Sequence, residues 1–277
     1  MSCQINGEVP GGVYLCQIRE NISCGACCGL YNVADASQEA LVSMLTCRTE
    51  TFARVSRTMD AILAFRQEIE DREVQTRPYP QFHHCPYIGW VGQKRSRVGC
   101  LLHPLAQGNH GVDFRGLSYY GGMACRVYFC PAYHRLPAVP KEIIREVSTD
   151  WYRYGLIITE TAMLTAFFEE LERRLGRKLS RDDIVANEKA AEVLTQFLDL
   201  KLNWPFRPRP IVGWANYFFE DRLYVNPPIN YESLGHPASK YDILLRELNS
   251  SIDSVATLHK AERVLERILG RLTEALG

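Results

Sequence analysis

The last 147 residues of this chain contain no cysteine, and neither sign of charge is in surplus anywhere. Thirty-two Lys and Arg balance 32 Asp and Glu, and the two halves divided at Val139 carry 13 basic against 11 acidic residues and 19 against 21. A protein that lives on nucleic-acid phosphates carries a basic surplus, so no nucleic-acid partner is expected. Long apolar runs are missing too. The best candidate span, 156–168, is interrupted by Thr159, Glu160, Thr161 and Thr165 and falls short of the ~20 residues a bilayer requires, so no membrane partner is expected. Residues 1–12 show no basic stretch followed by an apolar one, so no secretory signal is expected and the predicted location is the cytoplasm. Familiar catalytic signatures are absent: no G-x-S-x-G, P-loop, H-E-x-x-H or G-x-G-x-x-G after a strand. Internal repeats and low-complexity tracts are absent as well. What remains is an ordinary globular composition, 46% hydrophobic and 23% charged, with ten cysteines crowded before residue 131.

Periodicity predicts a mainly α protein: a helical scaffold with an inserted Cys-rich, loop-dominated metal-binding subregion and few short strands. Residues 1–34 read as irregular. One long helix is expected over 35–75, opened by the capping-box spacing of Asp35 and Gln38 and carrying Leu41, Leu45, Phe52, Val55, Met59, Ile62 and Ile69 inward. Pro78 and Pro80 end it. From Tyr79 to Pro140 the long period is lost, with short strands predicted at 97–102 and 126–129. About sixty loop-rich residues far exceed the usual ~4–6 residue connection, and a metal is an economical way to hold them. The helical period returns after Pro140 in one long helix through Leu175, a second opened by Ser180 and Asp183 and running to Leu198, and a final region opened by Ser239. A strand pair is predicted within 211–229. Two regions follow: 1–139, Cys-rich and metal-binding, and 140–277, helical and packed against it as one compact unit.

In a reducing compartment, clustered thiols hold metal more often than they form disulfides. Cys24-x-x-Cys27 brings two thiolates round a turn onto one ion, with Gly25 and Gly29 freeing the backbone to fold back. Side chains of adjacent residues often diverge, which leaves three readings for Cys28: a second site, a buried structural thiol, or a polynuclear site. Cys85-Pro86, Cys100-x-x-His103, Cys125-Arg126 and Cys130-Pro131 follow, with His134 close behind. Proline after a ligand recurs in iron–sulfur loops. The expected ligands are Cys24, Cys27, Cys28, Cys85, Cys100, Cys125 and Cys130, with His103 and His134 as nitrogen candidates under zinc chemistry. Seven thiols exceed one tetrahedral site by three. Arg126, beside Cys125, is expected to contact the cofactor by donating to a cluster sulfur or a carboxylate.

The sequence Cys24-x-x-Cys27-Cys28, Cys85-Pro-Tyr-Ile, Cys100, then Cys125-Arg-x-x-x-Cys130 resembles the CxxCxxCC (YkgJ-like) family, described as zinc- or iron-chelating proteins. The likeness spans roughly residues 20–135 and implies metal binding by these thiols. The chain departs from that pattern in two places. The family has a further Cys shortly before the double-Cys element, where this chain reads Arg19-Glu20-Asn21; Cys16 lies upstream and is a candidate substitute, though at the wrong offset. The family's Tyr-x-x-Arg-Pro is replaced by 118–124. The double-Cys element also resembles the tail of bacterial flagellin lysine N-methylases, which implies methyl transfer with an iron–sulfur cluster. No radical-SAM CxxxCxxC accompanies it, and Gly121-Gly122 is too little for a SAM loop.

The reading is therefore a metal-binding protein holding iron, in an iron–sulfur cluster, or zinc through thiolates from several loops, with iron slightly favoured. An enzyme of methyltransferase-like or redox type using the site, and a disulfide-stapled structural or adaptor protein, are the alternatives. Which protein or small molecule partners the chain is left open by the sequence. Plain structural roles account for the other candidates: Cys3 as a terminal thiol, Cys47 as a small buried apolar helix residue, His83-His84 as solvated side chains, and Lys94 to Arg97 as a hairpin tip.

Overall fold

A computed structural model describes residues 9–73, 76–208 and 228–277. Cys3 and nearly all of the strand pair expected within 211–229 lie outside the described residues. The chain divides into two compact units: Tyr14–Cys130 with Thr149–Leu156, and Met1–Val13 with Pro131–Ser148 and Ile157–Gly277. The protein is mainly helical, with two small antiparallel sheets.

The first unit carries the described cysteines. Strands β1 (Gln17–Arg19) and β2 (Ile22–Ser23) form a hairpin, followed by a helical turn at Ala26–Cys28. Helices α1 (Gln38–Ala53) and α2 (Met59–Arg72) come next, then the hairpin of β3 (Ile88–Val91) with β4 (Arg97–Cys100), and the short α3 (Gly121–Val127). Ser23 Oγ accepts from Val98 N at 2.8 Å and Gln17 Nε2 donates to Val98 O at 2.7 Å, tying the two hairpins together. Helix α1 lies against β3, where Thr49 Oγ1 accepts from Trp90 N at 2.8 Å. Phe52, Ile62, Phe65, Ile69, Cys85, Tyr87, Leu101 and Leu102 form the core here. Phe65 stacks on Tyr87 and meets Phe52 edge-on; truncating such a ring costs about 3–5 kcal/mol.

The expected single helix over 35–75 is two helices. Ser37, not Asp35, caps the first, its side chain accepting from Ala40 N, while Asp35 Oδ1 accepts from Ser37 N at 2.9 Å and holds the preceding loop. The break at 54–58 is built by Arg57, whose guanidinium donates to the carbonyls of Phe52 and Val55 at the end of α1, and by Thr58, which caps α2. Val55 and Met59 continue the apolar spacing across the break, so periodicity passes over it, yet Met59 is exposed. The strand expected at 126–129 is also corrected: Arg126 and Val127 end α3, and Tyr128 N donates to Ala124 O at 2.9 Å.

The second unit is helical: α4 (Ala132–Arg135), α5 (Ala138–Val147), the bulk of the chain from α7 (Thr161–Leu175) through α8 (Arg181–Val185), α9 (Glu188–Asn203) and α10 (Asp242–Glu247) to α11 (Val255–Leu276). The intervening α6 (Trp151–Ile157) belongs to the first unit except for its last residue. The expected continuous helix to Leu175 is thus three. Ser148 Oγ closes α5 by donating to Ile144 O at 2.6 Å, and Asp150 Oδ1 opens α6 by accepting from Arg153 N at 2.8 Å. The Ser180–Asp183 capping box is present, but its helix ends at Val185, and Asn187 caps α9. Helix α9 packs on α11, and α7 on α10 and α11, with Phe167 stacked on Phe197. Lys201 Nζ reaches Glu160 Oε2 at 3.1 Å within this core, both side chains at most 1% exposed.

Candidate metal centre

Two turns and two hairpins bring the cysteine loops of the first unit together. Antiparallel pairing of Gln17 with Ser23 leaves Cys16 and Cys24 as the next positions outward, and Cys24 N donates to Cys16 O at 2.8 Å. The turn at Ala26–Cys28 closes with Cys28 N to Gly25 O at 3.1 Å. Gly29 then adopts φ +76°, and its Cα stands so close to the backbone of His83 that a Cβ would lie 2.1 Å from His83 O. That approach lets Cys85 N donate to Cys28 O at 2.8 Å. Register in the second hairpin sets Ile88 opposite Cys100, which carries β4's last residue back toward Cys85.

Arg48, 1% exposed, fastens the same junction. Its guanidinium grips Glu73 through Nε and Nη2, donates from Nη1 to Cys85 O at 3.0 Å, and lies 2.7 Å from His84 Nε2. A guanidinium only donates, so His84 Nε2 accepts and Nδ1–H donates to Gly29 O at 2.7 Å. His84 is therefore a neutral buried strut between the two loops, its pKa held well below the usual imidazole value by burial and then by Arg48. His83 stacks on Tyr119, and burial lowers its pKa to about 4.

The sulfurs themselves form neighbourhoods. Cys28 and Cys100 pack on the core cluster that contains Cys85. Cys85 is buried, while Cys24, Cys27, Cys28, Cys100 and Cys125 are half-buried by surface area. Their surroundings are dense enough that burial pushes Cys24 and Cys85 well up and Cys100 up to about 12. Neighbouring thiols add to this: Cys27, Cys130 and Cys16 act on Cys24, and Cys100 and Cys125 act on Cys85. The thiol of Cys28 hydrogen-bonds the Cys27 sulfur, which raises Cys28 and lowers Cys27. Ser118 Oγ lies 3.0 Å from Cys125 Sγ, and Arg115, bidentate to Asp113, donates from Nη1 to Cys125 O at 3.3 Å.

The nearby backbone N–H of Ala26 lowers Cys24, that of Tyr87 lowers Cys85, and those of Leu102 and His103 lower Cys100. Each opposes the upward push of burial by favouring the thiolate. A thiol that merely fills apolar space needs no such donors.

The nitrogen candidates and Arg126 are placed otherwise. His103 is half-buried and its Nδ1 accepts from Leu105 N at 3.1 Å, so one ring nitrogen is engaged locally. His134 is exposed on α4 in the helical unit. Arg126 Nε pairs with Asp113 Oδ2 at 2.8 Å, leaving its side chain about half exposed. Reasoning from the sequence missed Arg48, Arg115 and Ser118. Cys16, a candidate substitute at the wrong offset by sequence, is joined to Cys24 by the backbone at the end of the β1–β2 hairpin. Among the described residues, no three His, Cys, Asp or Glu side chains stand in the arrangement of a formed metal site.

Comparison with protein-family models, curated proteins and solved structures finds no significant match for this chain. The likeness to the CxxCxxCC family rests on cysteine spacing alone.

Proposed function

We infer that the first unit is a thiolate metal centre, with iron in a sulfide cluster as the preferred occupant and zinc as the other. One observation carries this reading: cysteines from three separated segments, around Cys24–Cys28, Cys85 and Cys100, are brought together, with Cys85 N donating to Cys28 O at 2.8 Å and Cys28 and Cys100 packed on the core cluster that contains Cys85. Burial opposes an isolated thiolate, and the donors alone leave Cys100 near 12. A cation restores the balance, since a coordinating thiol gives up its proton outright. Iron is preferred because the thiols outnumber a single tetrahedral zinc site and because Cys27 and Cys28 contribute adjacent thiols. The ligands would be Cys24, Cys27, Cys28, Cys85, Cys100, Cys125 and Cys130. Ser118 Oγ would tune the Cys125 sulfur.

Metal analysis of anaerobically purified protein, with acid-labile sulfide and a visible spectrum, tests this. Iron with matching sulfide and a broad visible absorption is the expected result, and stoichiometric zinc without colour gives the second occupant. Neither metal near one equivalent per chain overturns the reading.

A further inference from the structure

We propose that His236 and His259 of the second unit form a surface site for an exchangeable divalent transition-metal ion, which clamps the segment before α10 to α11. The proposal is independent of the thiolate-centre reading, whose cysteines belong to the first unit.

The two rings meet through their Nε2 atoms, 3.3 Å apart, with ring centres 5.2 Å apart and planes at 76°. These distances distinguish two arrangements. A straight N–H···N bond of this length would hold the ring centres about 5.6 Å apart, because both ring axes then lie along it. Two imidazoles on one tetrahedral ion, each bonded at about 2.0–2.1 Å, have nitrogens about 3.3–3.4 Å apart and ring centres about 5.2 Å apart. The pair agrees with the second arrangement in both measures.

The protonation pattern suits ligation. His236 Nδ1 lies 2.8 Å from Pro237 O, and a carbonyl only accepts, so Nδ1 carries the proton and Nε2 presents its lone pair. A carbonyl on the far nitrogen is the usual support of a metal-bound histidine. His259 is exposed, so its proton passes to Nδ1 through solvent, and two neutral rings take up the ion with no electron transfer. Other side chains hold the pair together. Ser239 Oγ donates to Glu262 Oε1 at 2.6 Å and Lys240 Nζ to Glu266 Oε2 at 2.9 Å, tying the segment that carries His236 to the helix that carries His259. Glu262, one turn beyond His259, adds a carboxylate to the same helix. Imidazole suits zinc, copper and nickel, whereas magnesium and calcium take oxygen, which fixes the class of ion. Two protein ligands leave the other positions to water. The ion therefore exchanges with solvent and is lost on desalting, so it adds nothing to the metal retained through purification.

The test uses full-length protein as isolated, with isotope-labelled histidine, titrated with zinc chloride while the ring nitrogens are followed by NMR. His236→Gln and His259→Gln assign the signals; both side chains stand at the surface, so neither change disturbs the core. The Nε2 signals of His236 and His259 should shift together along one saturation curve and return on adding EDTA. In either variant the remaining ring should need about tenfold more zinc or fail to respond. Magnesium chloride should move neither signal. Each ring is read by its own resonance, so zinc taken up by the cysteines does not enter the measurement. Separate curves for the two rings, a response in one ring alone, unchanged zinc dependence in the variants, or no shift at millimolar zinc overturns the proposal and leaves a plain hydrogen bond between the rings.

Discussion

At the scale of single residues, Gly29 does more than any other non-cysteine position to shape the candidate site. Its φ of +76° costs an L-residue about 1–2 kcal/mol, and an added Cβ would meet the His83 carbonyl at 2.1 Å. Gly29→Ala is expected to destabilise the protein by about 2 kcal/mol or more and to reduce the retained metal, read by urea denaturation and metal analysis. Unchanged values in both would show that the close approach of the Cys28 and Cys85 loops is dispensable. The cysteines of the C-x-x-C pair, and Gly25 and Gly29 beside them, are legible in sequence because a tight turn is a local object. His84 was not legible as a strut. Its role depends on Arg48, 36 residues away, reaching its Nε2.

At the scale of elements, the helical unit is joined by polar groups that periodicity does not register. Glu160 ends the segment between α6 and α7 and pairs with Lys201 of α9 inside the core. Removing one partner strands the other, so Lys201→Ala is expected to cost about 3–5 kcal/mol. The paired replacement Glu160→Leu/Lys201→Met should recover most of that loss in chemical denaturation. If Lys201→Ala alone is neutral, the pair is not desolvated as described. Arg174 of α7 links Glu170 to Glu266 of α11 and reaches Tyr241 beside α10. Hydrogen bonds from Arg173 and Arg174, working against partial burial, hold Glu170 at about 2, below its ordinary 4.5. The folded form thus binds its proton later than the unfolded chain. This stabilisation is complete above pH 4.5 and is lost as pH falls toward 2. Glu170→Gln should flatten the decline in unfolding free energy over that interval; an unaltered slope would contradict it. The helices themselves were legible as apolar stripes, but the breaks at 54–58, 148–150 and 158–160 were not. The first two are made by side chains, Arg57, Ser148 and Asp150, bonding the backbone without disturbing the apolar spacing, and at the third Glu160 N donates to Ile157 O and Thr161 N to Thr159 O.

At the scale of the whole molecule, cysteine content before residue 131 and its absence afterwards follow the division of the fold. The first unit, Tyr14–Cys130 with Thr149–Leu156, carries every described cysteine, and the second is built on buried Leu, Phe and Ile. A mainly α class could be read from composition and period. The grouping of thiols could not, because it depends on hairpin registers: Gln17 opposite Ser23 makes Cys16 a neighbour of Cys24, and Ile88 opposite Cys100 turns Cys100 back toward Cys85. Among the described residues no helix is long and apolar enough to cross a membrane. X-ray absorption at the iron and zinc edges of anaerobically isolated protein tests the central claim most directly, because it reports the atoms bonded to the ion. The account predicts an all-sulfur first shell at about 2.3 Å, with iron–iron scattering beyond it when iron is the occupant. A first shell of nitrogen and oxygen, or no bound metal at either edge, would contradict it.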